Sequence, residues 1–430
     1  MTAEIAIMNK EAVAVAADSA VTLVAGPMDS PQKIFTSATK IYGLPNNHTV
    51  ALMIYNNASF LGIPWEPLIT RFEETLGKDP LPNLTVYADR LIRFLAEEKS
   101  LVSAEIEQQY FTTMIYNYYL TFRFIFQAAA TQLMRQQGTI TEDQIASLVA
   151  DKVSEAYGSL MGAEYIPGAD ENKAKDLISR YSDITAKAMG EVFEQLPILE
   201  QTRDQLRVLP ILFFVKNAGT ADPASQNFSG IVITGFGKDE IFPALVTYAI
   251  EGRLGGLLKY REIENRAISL ENGAYVIPFA QRDMVEMFMA GMDSRLYNAL
   301  TESLAAVLSE FPKTIVDSIE TLDGPAKEEV IQKFQPQAED LINQIAAYLN
   351  NYRNSNVIPI INVVLSLPKT ELAAMAESLV NLTSLKRKVS LTAETVGGPV
   401  DVAVISKRDG FVWIKRKQYF SEDLNQRGHN

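Results

Sequence analysis

Ala12-Val-Ala-Val-Ala-Ala-Asp18-Ser-Ala-Val-Thr22 runs through six small apolar residues in succession and then breaks on a carboxylate. A short Val/Ala-rich run of this kind reads as a β-strand. Asp18 at its end fits a turn cap or a buried carboxylate with work to do. Just upstream, Glu4 to Met8 is a second short apolar run, separated by the polar Asn9-Lys10-Glu11, which suits a hairpin. Downstream, Lys33-Ile-Phe or Lys40-Ile-Tyr opens a further pair, followed by the turn Pro45-Asn46-Asn47 and the continuous apolar strand Thr49 to Tyr55.

From Pro64 the apolar period changes from strand-like to helical. Leu68, Phe72 and Leu76 share one helix face, and Val86, Leu91, Ile92 and Leu95 begin another. No proline occurs between Pro82 and Pro167, and Thr141 with Gln144 reads as a capping box. Strand signals return at Leu209 to Val215, Gly230 to Gly235, Ala244 to Ile250 and Ala274 to Ile277. A second helical block runs from Asp283 to about Leu349, interrupted at Gly291 and Pro312. A helix after Thr370 precedes two closing strands, Val400 to Ser406 and Gly410 to Arg416, joined by Lys407-Arg-Asp-Gly. The pattern predicts an α+β fold with two sheets, helical layers and two helical insertions. The expected segments are 1–96, the first part of the core, and 97–205, a helical insertion. Central strands at 206–283 and a second insertion at 284–369 follow, then a closing helix and strands at 370–420 and a tail at 421–430.

Composition removes much chemistry. The 430 residues hold 39 Lys+Arg against 52 Asp+Glu, a formal charge of −13, with no long basic run to release counterions from nucleic acid or anionic lipid. There is no cysteine, so disulfides, thiolate zinc sites and Cys nucleophiles are excluded. His48 and His429 are the only histidines, too few for a multi-His metal site; neither metal nor cofactor is expected. Phe111 to Phe126 is the most membrane-like window, but it carries Asn117 and Arg123 and is too short to span. With no basic, apolar leader at the start, the expected setting is the cytoplasm.

One catalytic scheme survives these exclusions. Methionine followed by a small residue is readily processed, and loss of Met1 leaves Thr2 with a free α-amine. Such an amine has an ordinary pKa of about 7.7–8.0, so it can act as base for the hydroxyl of its own residue without any histidine. Lys40, at the start of a strand, would lower the pKa of a neighbouring hydroxyl, and Asp18 would hold that lysine charged.

Thr2, the strand after it, Ala16-Ala-Asp-Ser-x-x-Thr22 and Lys40-Ile41 resemble the N-terminal block of the proteasome-type branch of the N-terminal-nucleophile (Ntn) hydrolases. That branch includes the bacterial proteasome β-subunit-like proteins. Val396-Gly-Gly-Pro-Val-Asp-Val-Ala-Val-Ile405 is similar to a second stretch of the same family, and Gly230 to Ala249 to its central strands. The resemblance implies a four-layer α/β/β/α sandwich with Thr2 as nucleophile and its amine as proton acceptor. Asp18 and Lys40 become the charged pair, with Thr22, Asn56, Ala58 and Gly397 as binding positions. Asn56 stands where the family has the glycine of its oxyanion hole; Val396 and Ala393 replace a serine and an aspartate, with Glu394 and Thr395 nearby. Lys33-Ile34 is a rival for the lysine, but the strand–turn–strand after Lys40 matches the family's order. The expected function is amide-bond hydrolysis, most simply of peptides, by a homo-oligomer that engages neither nucleic acid nor membrane. A catalytically silent scaffold subunit and a small-amide acylase are the alternatives.

Overall fold

A computed structural model describes residues 2–24, 32–35, 38–98, 101–217, 228–319, 324–389 and 397–417, with backbone alone for 21–24 and 32–35. The N-terminal block holds β1 (Ala3–Asn9), β2 (Ala12–Ala17), β3 (Val21–Val24), β4 (Gln32–Phe35), β5 (Ile41–Gly43), β6 (Thr49–Asn56), β7 (Ser59–Phe60) and β8 (Ile63–Pro64). Helices α1 (Trp65–Leu76), α2 (Leu84–Glu97), α3 (Ala104–Gln137), α4 (Glu142–Gly162), α5 (Glu171–Arg180), α6 (Ser182–Val192) and α7 (Glu200–Val215) follow. Next come β9 (Ser229–Phe236), β10 (Ala244–Leu254), β11 (Leu257–Ala267) and β12 (Ala274–Ala280). The chain continues through α8 (Asp283–Ala290), α9 (Ser294–Asp317), α10 (Gly324–Val364) and α11 (Lys369–Val389) to β13 (Asp401–Ser406) and β14 (Gly410–Lys415).

Two five-stranded antiparallel sheets carry the core, in the orders β12-β1-β2-β13-β14 and β11-β10-β9-β6-β5. Successive side chains of a strand point to opposite faces, so a strand covered on both must be apolar throughout. Ala6, Met8, Val13 and Val15 of the first sheet pack with Ala51, Met53 and Val232 of the second. The alternate residues Ile5, Ile7, Ala14 and Ala16 face α8 and α11 through Val285, Leu372, Ala376 and Leu379. On the second sheet, Leu52, Ile54, Ile231 and Ile233 meet Phe72, Tyr87 and Leu91 of α1 and α2. Each aliphatic side chain buried this way contributes about 1.5–3 kcal/mol. The alanines of β2 let α11 approach closely.

A separate aromatic core unites the first helical block, with Phe111, Tyr119 and Phe122 of α3 packed on Val149, Leu206 and Phe214. An ion pair and a lysine-to-carbonyl hydrogen bond tie this block to the second sheet. Glu107 of α3 lies 3.2 Å from Arg253, and Lys259 bridges Glu251 at 3.0 Å to the Phe213 carbonyl at 2.6 Å. The Thr141–Gln144 capping box opens α4 as expected. Among the described residues no helix is long and apolar enough to cross a membrane.

Three readings of the sequence need correction. Leu209 to Val215 is the C-terminal half of α7, not a strand, so the helical stretch reaches beyond residue 205 and the central strands begin at Ser229. Every one of those residues is buried, and an apolar run without period does not separate a strand from a buried helix. Pro312 lies inside α9 instead of interrupting it. α10 likewise continues through Pro336 and Pro359 to Val364, well past Leu349. Proline removes one helical hydrogen bond, a loss a long helix survives. The hairpin of β13 and β14 and the turn at Pro45-Asn46-Asn47 form where expected. Expectations that fall on 390–396 and 418–430 lie outside the described residues.

Gly235 tests this packing. Its φ is +137°, and an added Cβ would sit 2.2 Å from the Thr49 carbonyl oxygen across the β6–β9 pair. Gly235→Ala should cost about 2–4 kcal/mol from backbone strain and overpacking combined. Urea unfolding measures it, and a variant as stable as the parent contradicts the β6–β9 register.

Candidate active site

Four buried side chains converge where β1 and β2 meet the start of β5. Thr2 precedes β1, and the two-residue period of a strand puts Thr2 and Glu4 on one face. The backbone ladder reaches Asp18, whose N–H donates to the Ala3 carbonyl at 3.1 Å. In return, the Ala3 N–H donates to Asp18 Oδ1 at 3.0 Å, and the Gly397 N–H donates to Oδ2 at 2.8 Å. Lys40 enters from the second sheet, its carbonyl accepting from Ile54 N–H at 2.8 Å. Its ammonium donates to Asp18 Oδ1 at 2.6 Å and to Glu4 Oε1 at 3.0 Å. Thr2, Glu4, Asp18 and Lys40 are all 5% exposed or less.

The cluster therefore holds one cation between two carboxylates, out of water. Burial pushes the Glu4 carboxyl up to about 7; Lys40 pulls it down, Asp18 adds to the rise, and the Thr2 hydroxyl lowers it slightly. Thr2 Oγ1 and Glu4 Oε2 are both buried without a hydrogen-bond partner. A buried hydroxyl without a hydrogen-bond partner is uncommon and calls for an explanation. Burial, and then the Glu4 charge, also push up the phenol of Tyr55 on β6.

Thr2 lines a cleft of ≈ 270 Å³ together with Thr39, Lys40, Tyr55, Asn56 and Ala58. Asn56 has φ +69°, the left-handed region that glycine enters freely and asparagine tolerates best among other residues. Its side-chain amide donates to the Phe228 carbonyl at 2.9 Å, and the Ala58 carbonyl accepts from Trp65 N–H at 3.3 Å. Behind the cleft, Lys417 pairs with Asp401 at 2.7 Å and donates to Ser19 Oγ at 2.7 Å and to the Ala38 carbonyl. Ser19 Oγ in turn donates to the Pro399 carbonyl at 2.6 Å.

Of the residues singled out from sequence, Thr2, Asp18 and Lys40 come together, and Asn56 and Ala58 line the same cleft. Gly397 sits at the cluster, but its amide is engaged by Asp18. The side chains of Thr22 and Lys33, and the whole of Ala393, Glu394, Thr395 and Val396, lie outside the described residues. Glu4 and Lys417 were missed. Glu4 left a signal, being a carboxylate inside the apolar run Ala3-Glu-Ile-Ala-Ile7, two residues from Thr2. His48 is buried on Tyr87 Oη and the Gly77 carbonyl, and does not line the cleft. No group of three or more His, Cys, Asp or Glu able to hold a metal ion occurs among the described residues. Compared with known protein families and curated proteins, the chain matches no family model and no curated sequence.

The Glu4 carboxyl has a sharp consequence for stability. Its ordinary value is 4.5 and its folded value about 7, so folding takes up a proton between them. Stability should be fullest below about pH 4.5 and fall as pH rises through about 7. Glu4→Gln should remove that fall. Urea unfolding across the window measures both proteins, and equal slopes contradict the placement of Glu4.

Proposed function

We propose that this chain is a proteasome-type Ntn hydrolase in which Thr2, freed of Met1, cleaves peptide amides. What carries the reading is the buried, unsettled Thr2 hydroxyl at the wall of a cleft, beside a Lys40 clamped by Asp18. Helices outside each of two facing sheets support the α/β/β/α sandwich that the resemblance implies. The acidic, cysteine-free chain supports a cytoplasmic setting.

In this mechanism Thr2 Oγ attacks the scissile carbonyl carbon, and the hydroxyl proton passes to a base within the cluster, for which the α-amine of Thr2 is available. Lys40 lowers the cost of the developing alkoxide, and Asn56 stands where the resemblance places the oxyanion hole. Collapse breaks the C–N bond and leaves an acyl ester on Thr2, which water then hydrolyses. The positive φ of Asn56 supports this role, since that conformation is what a glycine would otherwise supply.

The proposed assembly is a homo-oligomer. In α9 and α10 only Pro312, Val316 and Val364 are buried, whereas Val307, Phe311, Phe334, Leu341 and Tyr348 stand exposed. Phe334, Leu341 and Tyr348 recur every seven residues, the spacing of a helix–helix seam. Closed rotational symmetry is the common way to cover such a face.

Thr2→Ala should lower the release of a fluorescent amine from peptide amides by at least about 10³-fold, while Thr2→Ser keeps part of the activity. A chain that retains Met1 should be inert. Lys40→Ala should abolish turnover and Lys33→Ala leave it nearly unchanged; the reverse ranking would move the site lysine to β4. Unaltered turnover in Thr2→Ala ends the hydrolase reading. Light scattering should return a multiple of 47.7 kDa, and the monomer mass at every concentration contradicts assembly.

A further inference from the structure

The mechanism above offers the hydroxyl proton to the α-amine, yet a second titratable group stands at the same cluster. Glu4 shares the Thr2 face of β1, is 2% exposed, and has one carboxyl oxygen held by Lys40 at 3.0 Å. Its other oxygen, Oε2, is buried without a well-formed hydrogen bond, as is Thr2 Oγ1. The two unsatisfied atoms belong to side chains two residues apart on one face of the chain, at the same buried cluster. We propose that Glu4 accepts the Thr2 hydroxyl proton, leaving the α-ammonium to protonate the leaving nitrogen. This assignment rests on Thr2 being the nucleophile.

The chemistry favours such a division. An α-amine with an ordinary pKa of about 7.7–8.0 is mostly ammonium at neutral pH, and is an acid there before it is a base. Glu4, lifted by burial to about 7, is in the range where a general base works best. The titratable groups facing Glu4 are Asp18 beyond β2, Lys40 before β5, and Tyr55 across the core on β6. From β12 the opposite residue is Phe279, which carries no charge, while Arg261, Glu264 and Arg282 act on Tyr55.

The steps balance. As the bond from Thr2 Oγ to the carbonyl carbon forms, its proton goes to Glu4 Oε2 and the carbonyl π pair moves to oxygen. Collapse breaks the C–N bond, and the ammonium gives its proton to the departing nitrogen. Water then attacks the ester, losing a proton to the α-amine. Thr2 Oγ leaves and retrieves its proton from Glu4. Both groups return to their starting forms, with no other reactant consumed.

The p-nitrophenyl acetate burst isolates the first step, because p-nitrophenolate leaves near neutral pH without needing a proton. The burst rate of the processed chain should rise about tenfold per pH unit on the acid side and level off near the Glu4 pKa. Glu4→Gln, which keeps the shape and a Lys40 contact, should lower the plateau about 10²–10⁴-fold and abolish the acid limb. Glu4→Asp should keep the limb at a reduced plateau, and it decides the matter if Glu4→Gln does not fold by urea titration. A Glu4→Gln burst that keeps the parent's acid limb, at any rate, overturns the Glu4 assignment while Thr2→Ala remains without a burst. An undiminished burst in Thr2→Ala overturns the nucleophile and Glu4 together.

Discussion

A lysine ammonium removed from water is the constraint around which this molecule is arranged. Lys40 is 5% exposed, and a bare buried cation is costly enough that it would lose its proton or unfold its surroundings. Asp18 and Glu4 prevent this at 2.6 Å and 3.0 Å. Neither carboxylate could be there without the pairing of β1 with β2, and Lys40 could not reach them unless the second sheet lay face to face with the first. Removing Lys40 would leave two carboxylates confronting each other without water, so the ion cluster and the sandwich depend on one another.

The helical layers extend that dependence. Both sheets are covered on their outer faces, so the strands carrying the cluster are apolar on both sides and the cluster sits in a medium that strengthens every charge. The alanines of β2 serve α11 on one side, while Val13 and Val15 serve the second sheet on the other. The Glu107–Arg253 pair and the hydrogen bond from Lys259 to the Phe213 carbonyl fasten the first helical block to β10 and β11. The α9–α10 block buries only Pro312, Val316 and Val364, and leaves Val307, Phe311, Phe334, Leu341 and Tyr348 exposed.

Much of this is legible in the sequence, for identifiable reasons. Asp18 ends an apolar strand and Lys40 begins one, and such breaks are visible without a structure. Most strands of the two sheets are recognisable because their apolar runs are short and bounded by turns, but β11 is not, its Lys259-Tyr-Arg-Glu-Ile-Glu-Asn-Arg266 stretch being largely polar. Leu209 to Val215 is not, because a helix buried on all sides and a buried strand have the same hydropathy. Glu4 stood in plain view but reads as one polar residue in a hairpin; only the register that brings Lys40 to it gives it meaning. The positive φ of Asn56 is likewise invisible in sequence, since asparagine adopts that conformation only where the surroundings require it.

The central claim is that hydroxyl and amine of one residue act together at this cluster. Its most direct test is tandem mass spectrometry of the purified chain after exposure to an electrophile that closes a ring with a hydroxyl and an amine on neighbouring carbons. The account predicts one adduct per chain, on a peptide starting at Thr2, with both groups consumed and no adduct in a chain retaining Met1. A processed chain that stays unlabelled, or is labelled at another residue, would contradict it.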